Sequence, residues 1–250
     1  MPKSSSKYLL VVGLAIVIFI HQSFTVSEKT VPAGNVLIKI NLRFNGRPFI
    51  LNNQHYITVA GDTAVFDQCK FYLSAFELKA DTGLYTSVKK QYALVDAEDA
   101  NSLNISLENI KAGTYSSLGF NIGVDSIANV SGAMNGALDP AKGMYWTWNT
   151  GYINAKLQGT STACNTLHHA FEFHIGGYAP PFNAIREVHL PVSKLVVSKN
   201  KTSVIEINAA IDAWFSKPTP LKLTATNNVV IPGKDAMMIA DNYAGMFSFK

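Results

Sequence analysis

The chain has 250 residues, with 21 Lys and Arg against 17 Asp and Glu, and charged side chains make up only 15% of it. Lys3 and Lys7 belong to an apolar leader, so the rest carries 19 basic against 17 acidic residues. With no basic stripe, that near-neutral balance excludes nucleic acid as a partner.

Lys3 and Lys7 precede an unbroken apolar run from Tyr8 to Ile20, after which His21-Gln22-Ser23 turns polar. The run is shorter than the ~20 residues that span a bilayer and has the size of a signal-peptide core. Residues 1–26 are therefore expected to be a signal peptide or an N-terminal anchor, and any membrane attachment is confined to them. The remainder, about 220 residues, is long enough to bury a core without staples.

From there the hydrophobic period is two. Val36 to Phe44 alternates apolar with polar and stops at Asn45-Gly46, a hairpin signal. Pro48–Leu51 and Tyr56–Val59 read as short strands, and Phe66–Leu78 as a long one closing at Asp81-Thr82-Gly83. Gln91–Val95, the alternation around Ile105 and Leu107, and Tyr115–Val124 follow. Residues 125–151 lose the period and are rich in Ser, Gly, Asn and Asp, which predicts a long loop; its Trp and Tyr content argues for an ordered one. Strand patterns return at Tyr152–Leu157, Ala170–Ile175, Glu187–Leu190, Leu195–Val197, Ser203–Ile207 and Leu221–Leu223. Short helical segments are expected at Ala209–Phe215 and Met237–Tyr243. Many short strands separated by turn residues predict an all-β, antiparallel β-sandwich in one domain over residues 35–247.

Cys69 and Cys164 are 95 residues apart. In an oxidising compartment they are candidates for a disulfide; otherwise they are two buried thiols.

No Gly-x-Ser-x-Gly elbow, Walker loop, His-Glu-x-x-His pair or Cys-x-x-Cys occurs, so no catalytic residue is assigned and no enzyme is expected. Two aromatic clusters stand out instead. Met144-Tyr145-Trp146-Thr147-Trp148-Asn149-Thr150-Gly151-Tyr152 holds two of the three tryptophans, and Phe171-Glu172-Phe173-His174-Ile175-Gly176-Gly177-Tyr178 follows it. Trp146 and Trp148 are spaced i, i+2, which on extended chain puts both indoles on one side. They read either as a core plug beneath the loop, or as an aromatic surface beside a metal or a sugar ring.

Beyond the leader five histidines remain: His55, His168, His169, His174 and His189. Neutral imidazole is the common ligand of copper and zinc, and His174, His168, His169 and His55 are the candidate metal ligands. On an unbroken strand His168 and His174 share a face and His169 takes the other. A histidine beside phenylalanines is more often a packed core residue, and that reading stands next to the metal one. Met144, Met237, Met238 and Met246 offer thioethers to Cu(I), though methionine ordinarily fills cores. Asp125, Asn129, Asn135 and Asp139 lack the spacing of a calcium loop and read as turn caps.

In order, Phe71-Tyr72-Leu73-Ser74, Gly123-Val124-Asp125-Ser126, Gly136-Ala137-Leu138-Asp139-Pro140, the Trp146-x-Trp148-Asn149-x-Gly151-Tyr152 element, Phe173-His174-Ile175-Gly176-Gly177 and Ile239-Ala240-Asp241-Asn242-Tyr243 resemble the MbnP-like family, in a version that looks like the one common in Bacteroidetes. The resemblance implies an exported β-sandwich, in the periplasm or at the cell surface, that binds copper and delivers it without turnover, beside a di-haem partner of the MbnH peroxidase or oxidase type. It also implies that Trp146 or Trp148 is oxidised to kynurenine, whose aniline nitrogen joins histidines at the metal, with His174 as a ligand. Where family members carry an Asn-His pair, this chain reads Ala128-Asn129-Val130, so His55, His168 or His169 would have to substitute. The reading from another class is an extracytoplasmic binding module whose aromatic platform takes a glycan or a protein, with no metal.

Overall fold

A computed structural model describes residues 31–88, 90–148 and 151–250; the leader expected over residues 1–26 lies outside them. Its architecture is two β-sheets facing each other across one core. In the first, Thr202–Ala210 lies between Phe247–Phe249 and Ala33–Phe44, and the latter also pairs with Asn104–Lys111 and Arg47–Pro48. In the second the order is Arg186–Val197, Gly113–Ile122, Thr63–Ala80, Gly151–Ser161, Ala170–Gly176 and Asn228–Val229. Aromatic rings of the two sheets meet edge to face, Phe120 and Phe247 with centroids 5.0 Å apart and Phe71 and Phe247 at 5.9 Å.

The sandwich expected from the period-two pattern is therefore present, but its sheets are mixed. Ala33–Phe44 and Thr202–Ala210 pair in parallel, from Asn35 opposite Thr202 to Arg43 opposite Ala210. Both strands alternate toward the core, and a parallel pair satisfies that alternation as well as an antiparallel one does. Glu187–Leu190 and Leu195–Val197 are halves of one strand, Arg186–Val197, whose register shifts between Pro191 and Leu195. Leu221–Leu223 is not a strand, although Leu221 and Leu223 are buried. The C-terminal helix runs from Lys234 to Ala244 and buries Ile239, Ala240 and Tyr243.

Thr63–Ala80 is the central strand, and one residue in it departs from the pleat. Ala75 has φ 51, and the register jumps there from Ser74 opposite Asn121 to Glu77 opposite Gly119. Phe71 and Leu73 before this bulge, and Phe76 and Leu78 after it, all face the main core. The two cysteines do not pair: both are free and buried. Cys69 packs in the inter-sheet core, and the Cys164 thiol lies 3.9 Å from the Leu223 carbonyl oxygen. Burial pushes both thiols above their ordinary range.

Residues 123–148, with 151 and 152, fold over the outer face of the second sheet and enclose a second, smaller core of Tyr72, Val124, Ala128, Leu138, Met144, Trp146, Tyr152 and Ile153. The expected long loop is thus an ordered cover with a short helix, Ser126–Val130, inside it. Tyr152 organises the cover. Its hydroxyl accepts from Met134 N at 3.1 Å and lies 3.1 Å from the Leu138 carbonyl, and Tyr72 donates to the Ala137 carbonyl at 3.0 Å.

Candidate functional site

In Ala170–Gly176, Phe171, Phe173 and Ile175 point into the inter-sheet core, so Glu172 and His174 point to the opposite face, under the cover. The same alternation in Gly151–Ser161 sets Lys156 directly opposite His174, and Lys70 of Thr63–Ala80 lies on the far side of Lys156. Above this row the cover is tied back to the sheet by pairing of Trp146 with Gly151 and of Tyr145 with Tyr152. The result is a pocket of about 370 Å³ lined by Tyr145, Trp146, Trp148, Lys156, Glu172 and His174, among others.

The two indoles play different parts. Their centroids are 5.7 Å apart with planes tilted by 47°, yet Trp146 is 5% exposed and Trp148 64%. Trp146 lies on Gly176: a Cβ there would come within 2.5 Å of Trp146 Cζ3 and 2.6 Å of Cη2. Trp146 is the plug and Trp148 the open face.

His174 is the unusual polar group. Its Nε2 is shielded from solvent and has no hydrogen-bond partner among the described residues. Burial lowers its pKa from the ordinary 6.5 to about 4, and the Lys156 ammonium adds to the shift. Lys156, 9% exposed, donates to the Gly143 carbonyl at 2.5 Å, which ties the floor of the pocket to the cover. Burial also lowers the Lys156 pKa, Lys70 lowers it further, and Glu172 opposes both.

The MbnP family profile matches residues 33–237. The chain belongs to the MbnP family. A solved structure, "MbnP from Methylosinus trichosporium", is similar with a TM-score of 0.52 at 14% identity, over 74% of this chain and 78% of that one. At that identity the likeness speaks for the fold. Comparison with curated proteins gives no match.

Among this MbnP-family member's candidate residues, Trp146, Trp148 and His174 converge. His55, His168 and His169 do not join them; they line a separate pocket of about 270 Å³ with Thr63, Thr160 and Thr162. The strand begins only at Ala170, because His168 and His169 both take left-handed backbone, with φ 58 and 56. The strand-face assignment of His168 and His169 therefore fails. From Ala170 to His174 the strand advances roughly 13 Å, too far for one ion to bridge the two sets. His169 Nδ1 lies 2.8 Å from the Cys164 carbonyl oxygen.

Several of the other oxygens and sulfurs have internal roles, whereas Asn135 makes no side-chain cap bond. Asp125 and Asp139 accept from Ala128 N at 3.0 Å and Ala141 N at 2.9 Å, as turn caps do. Met144 packs in the smaller core and Met246 in the main one. Lys156 and Glu172 were not singled out in the sequence. Their signal was that each is the single Asp, Glu, Lys or Arg residue of its strand.

As for copper, a shielded Nε2 that is neutral at physiological pH suits a soft or borderline metal. The opposite formal charges of Lys156 and Glu172 leave the pocket near neutral, which favours a monovalent over a divalent cation. The ligand count is low. Cu(I) takes two or three soft or imidazole donors, and among the described lining residues His174 is the single imidazole.

The buried neutral imidazole has a stability consequence in metal-free protein. The unfolded chain takes up a proton near pH 6.5, whereas folded His174 does so near pH 4. Stability is full above the upper value and falls as the pH drops between the two, because there the unfolded state binds more protons. At about 1.4 kcal/mol per pKa unit, discounted for partial solvent access, the loss is on the order of 2 kcal/mol. His174→Leu should remove that component, read by urea unfolding at pH 7 and pH 4.5.

Proposed function

We propose that this protein is an exported copper-binding member of the MbnP family that captures the metal and passes it on without turnover. The observation that carries this is His174: a shielded, unpartnered Nε2 in one pocket with both indoles. His174 would hold the ion. Glu172 offsets the Lys156 charge, Trp146 closes the inner wall, and exposed Trp148 stands at the mouth where metal enters or leaves.

An intact indole cannot supply the second donor, because its nitrogen lone pair belongs to the ring π-system. Oxidation of Trp146 or Trp148 to kynurenine, by a di-haem partner of the MbnH type, opens the ring and frees an aniline nitrogen. That conversion adds two oxygen atoms to give the formyl derivative, whose formyl group then leaves by hydrolysis as formate; the net gain of one oxygen and loss of one carbon is readable in the tryptic peptide Gly143–Lys156, which contains both indoles. Export to the periplasm or cell surface, through a leader over residues 1–26, is part of the same proposal.

The test is a competition for Cu(I) between the protein, purified from its native host, and a chromogenic chelator. His174→Ala should lower affinity by more than the about 10–100-fold typical of losing an outer-shell partner. Absence of copper binding, or binding indifferent to His174→Ala, would end the proposal.

One observation favours a second reading. Trp148 is a large exposed aromatic 5.7 Å from another indole, a geometry that also stacks on a sugar ring. On that reading Trp148→Ala abolishes glycan or protein binding and leaves metal content unchanged.

A further inference from the structure

A different group of side chains, outside this pocket, assembles a metal-ligand set on the outer face of the second sheet. Glu77, Glu187 and His189 each offer a ligand atom, and these lie within 4.8 Å of one another. They come from two strands that are not neighbours. Gly113–Ile122 runs between Thr63–Ala80 and Arg186–Val197, and its Gly119 lies opposite Glu77 on one side and His189 on the other. Along Thr63–Ala80, Glu77 is roughly 20 Å from Lys70, which flanks the His174 row.

Three features make this arrangement more than a chance meeting of surface charges. The first is Gly119. A Cβ on it would sit 2.7 Å from Glu77 Cγ, 2.9 Å from Glu77 Oε1 and 3.0 Å from His189 Nδ1, so its absence is what lets both side chains close over the strand between them. The second is the tautomer. His189 Nε2 lies 2.8 Å from Glu187 Oε1, so Nε2–H donates to that carboxylate and the lone pair is left on Nδ1. Nδ1 then faces Glu77 Oε1 at 3.7 Å, beyond a hydrogen bond, and two bonds of about 2.0–2.1 Å to one zinc ion span such a gap. The third is the bulge. Ala75, in left-handed backbone at φ 51, adds the extra residue that turns Glu77 to the face carrying His189.

We propose that Glu77 Oε1 and His189 Nδ1 hold a borderline divalent cation of the zinc class above Gly119. Glu187 fixes the imidazole from behind, and water completes the coordination. An imidazole and a carboxylate suit zinc, whereas calcium and magnesium prefer oxygen-only shells. The site is independent of the copper pocket.

The experiment is titration of the metal-free full chain with Zn²⁺ alone, followed by imidazole ¹⁵N NMR and by calorimetry. His189 Nδ1 should shift on zinc addition and Nε2 should stay protonated. Glu77→Gln and His189→Ala should each lower affinity at this site at least tenfold, and Glu187→Gln about tenfold. Gly119→Ala keeps both ligands and Glu187 but sets a methyl group against Glu77 and His189, and should abolish the His189 shift. His174→Ala should leave the shift untouched, which separates this result from the copper reading. If saturating Zn²⁺ leaves both His189 nitrogens unchanged, or if Glu77→Gln binds as well as wild type, the proposal is overturned. The nitrogen shifts are read on the wild-type chain, so that outcome stands whether or not a variant folds.

Discussion

Asn129→Ala should destabilise the metal-free protein by about 3–4 kcal/mol and lower its Tm by about 10 °C, without touching any residue that lines the pocket. Asn129 is 3% exposed and pins the cover from both ends. Its Nδ2 donates to the Val124 carbonyl at 2.8 Å and to the Asp125 carbonyl at 3.0 Å, and its Oδ1 accepts from Tyr152 N at 2.7 Å. Asp125 O also accepts from Asn129 N, so it keeps a partner when the side chain is truncated. Val124 O and Tyr152 N lose theirs, and each buried orphan costs about 1–3 kcal/mol. Tyr152 pairs with Tyr145, the neighbour of Trp146, so if the protein binds copper as proposed, its Cu(I) affinity should fall together with stability. Asn129→Asp keeps the acceptor for Tyr152 N but sets a second oxygen against two carbonyls. It should therefore be less damaging at pH 4 than at pH 7. Equal stability of Asn129→Ala and wild type in urea unfolding would show that the cover is held some other way.

Gly176→Ala is expected to have the second-largest effect, and a more local one. The added methyl would lie 2.5–2.6 Å from two indole carbons of Trp146 and 3.0 Å from the Tyr152 carbonyl oxygen. Comfortable carbon–carbon contact is about 3.5–4.0 Å, so the ring must move outward by about 1 Å or the strand must yield. Overpacking of this kind costs about 1–3 kcal/mol. Trp146 emission should shift to the red as the ring meets water, and His174 Nε2 should become accessible. The same substitution makes no contact with Glu77, Glu187 or His189. An unchanged emission spectrum together with wild-type stability would mean that Trp146 does not rest on Gly176 in solution.

Much of the site was legible along the chain because strand periodicity carries direction. The alternation of Phe171, Phe173 and Ile175 with Glu172 and His174 sets the two groups on opposite faces, while a packed core histidine stayed open beside the ligand reading until the core side of the sheet was known. The i, i+2 spacing of Trp146 and Trp148 likewise places the rings together, and they are in contact. What the pattern does not carry is depth. One indole is buried and the other open because Gly176 and the cover exist on one side only, which is a fact about the far strand. His168 and His169 misled for a local reason: both take left-handed backbone, so the strand starts only after them at Ala170, and nothing in their side chains announces it.

Edges and partners were the other losses. Tyr85–Ser87, Asn228–Val229 and Phe247–Phe249 are two or three residues long, too short to show a period. The bulge at Ala75 was invisible because alanine is a residue for which left-handed backbone is not a preference. The free state of Cys69 and Cys164 depended on where two distant segments settle.

By itself, then, the sequence determined the β-class, the alternation that builds the core and the MbnP-family motifs, because each rests on spacings of a few residues along the chain. Only the tertiary structure decided that Ala33–Phe44 runs parallel to Thr202–Ala210, that the cover seals Trp146 but not Trp148, that His55, His168 and His169 stand apart from His174, and that Glu77 meets His189 across Gly119. The physical reason is common to all four. Each is set by pairing between segments far apart in the chain, whose register follows from the packing of the whole sandwich.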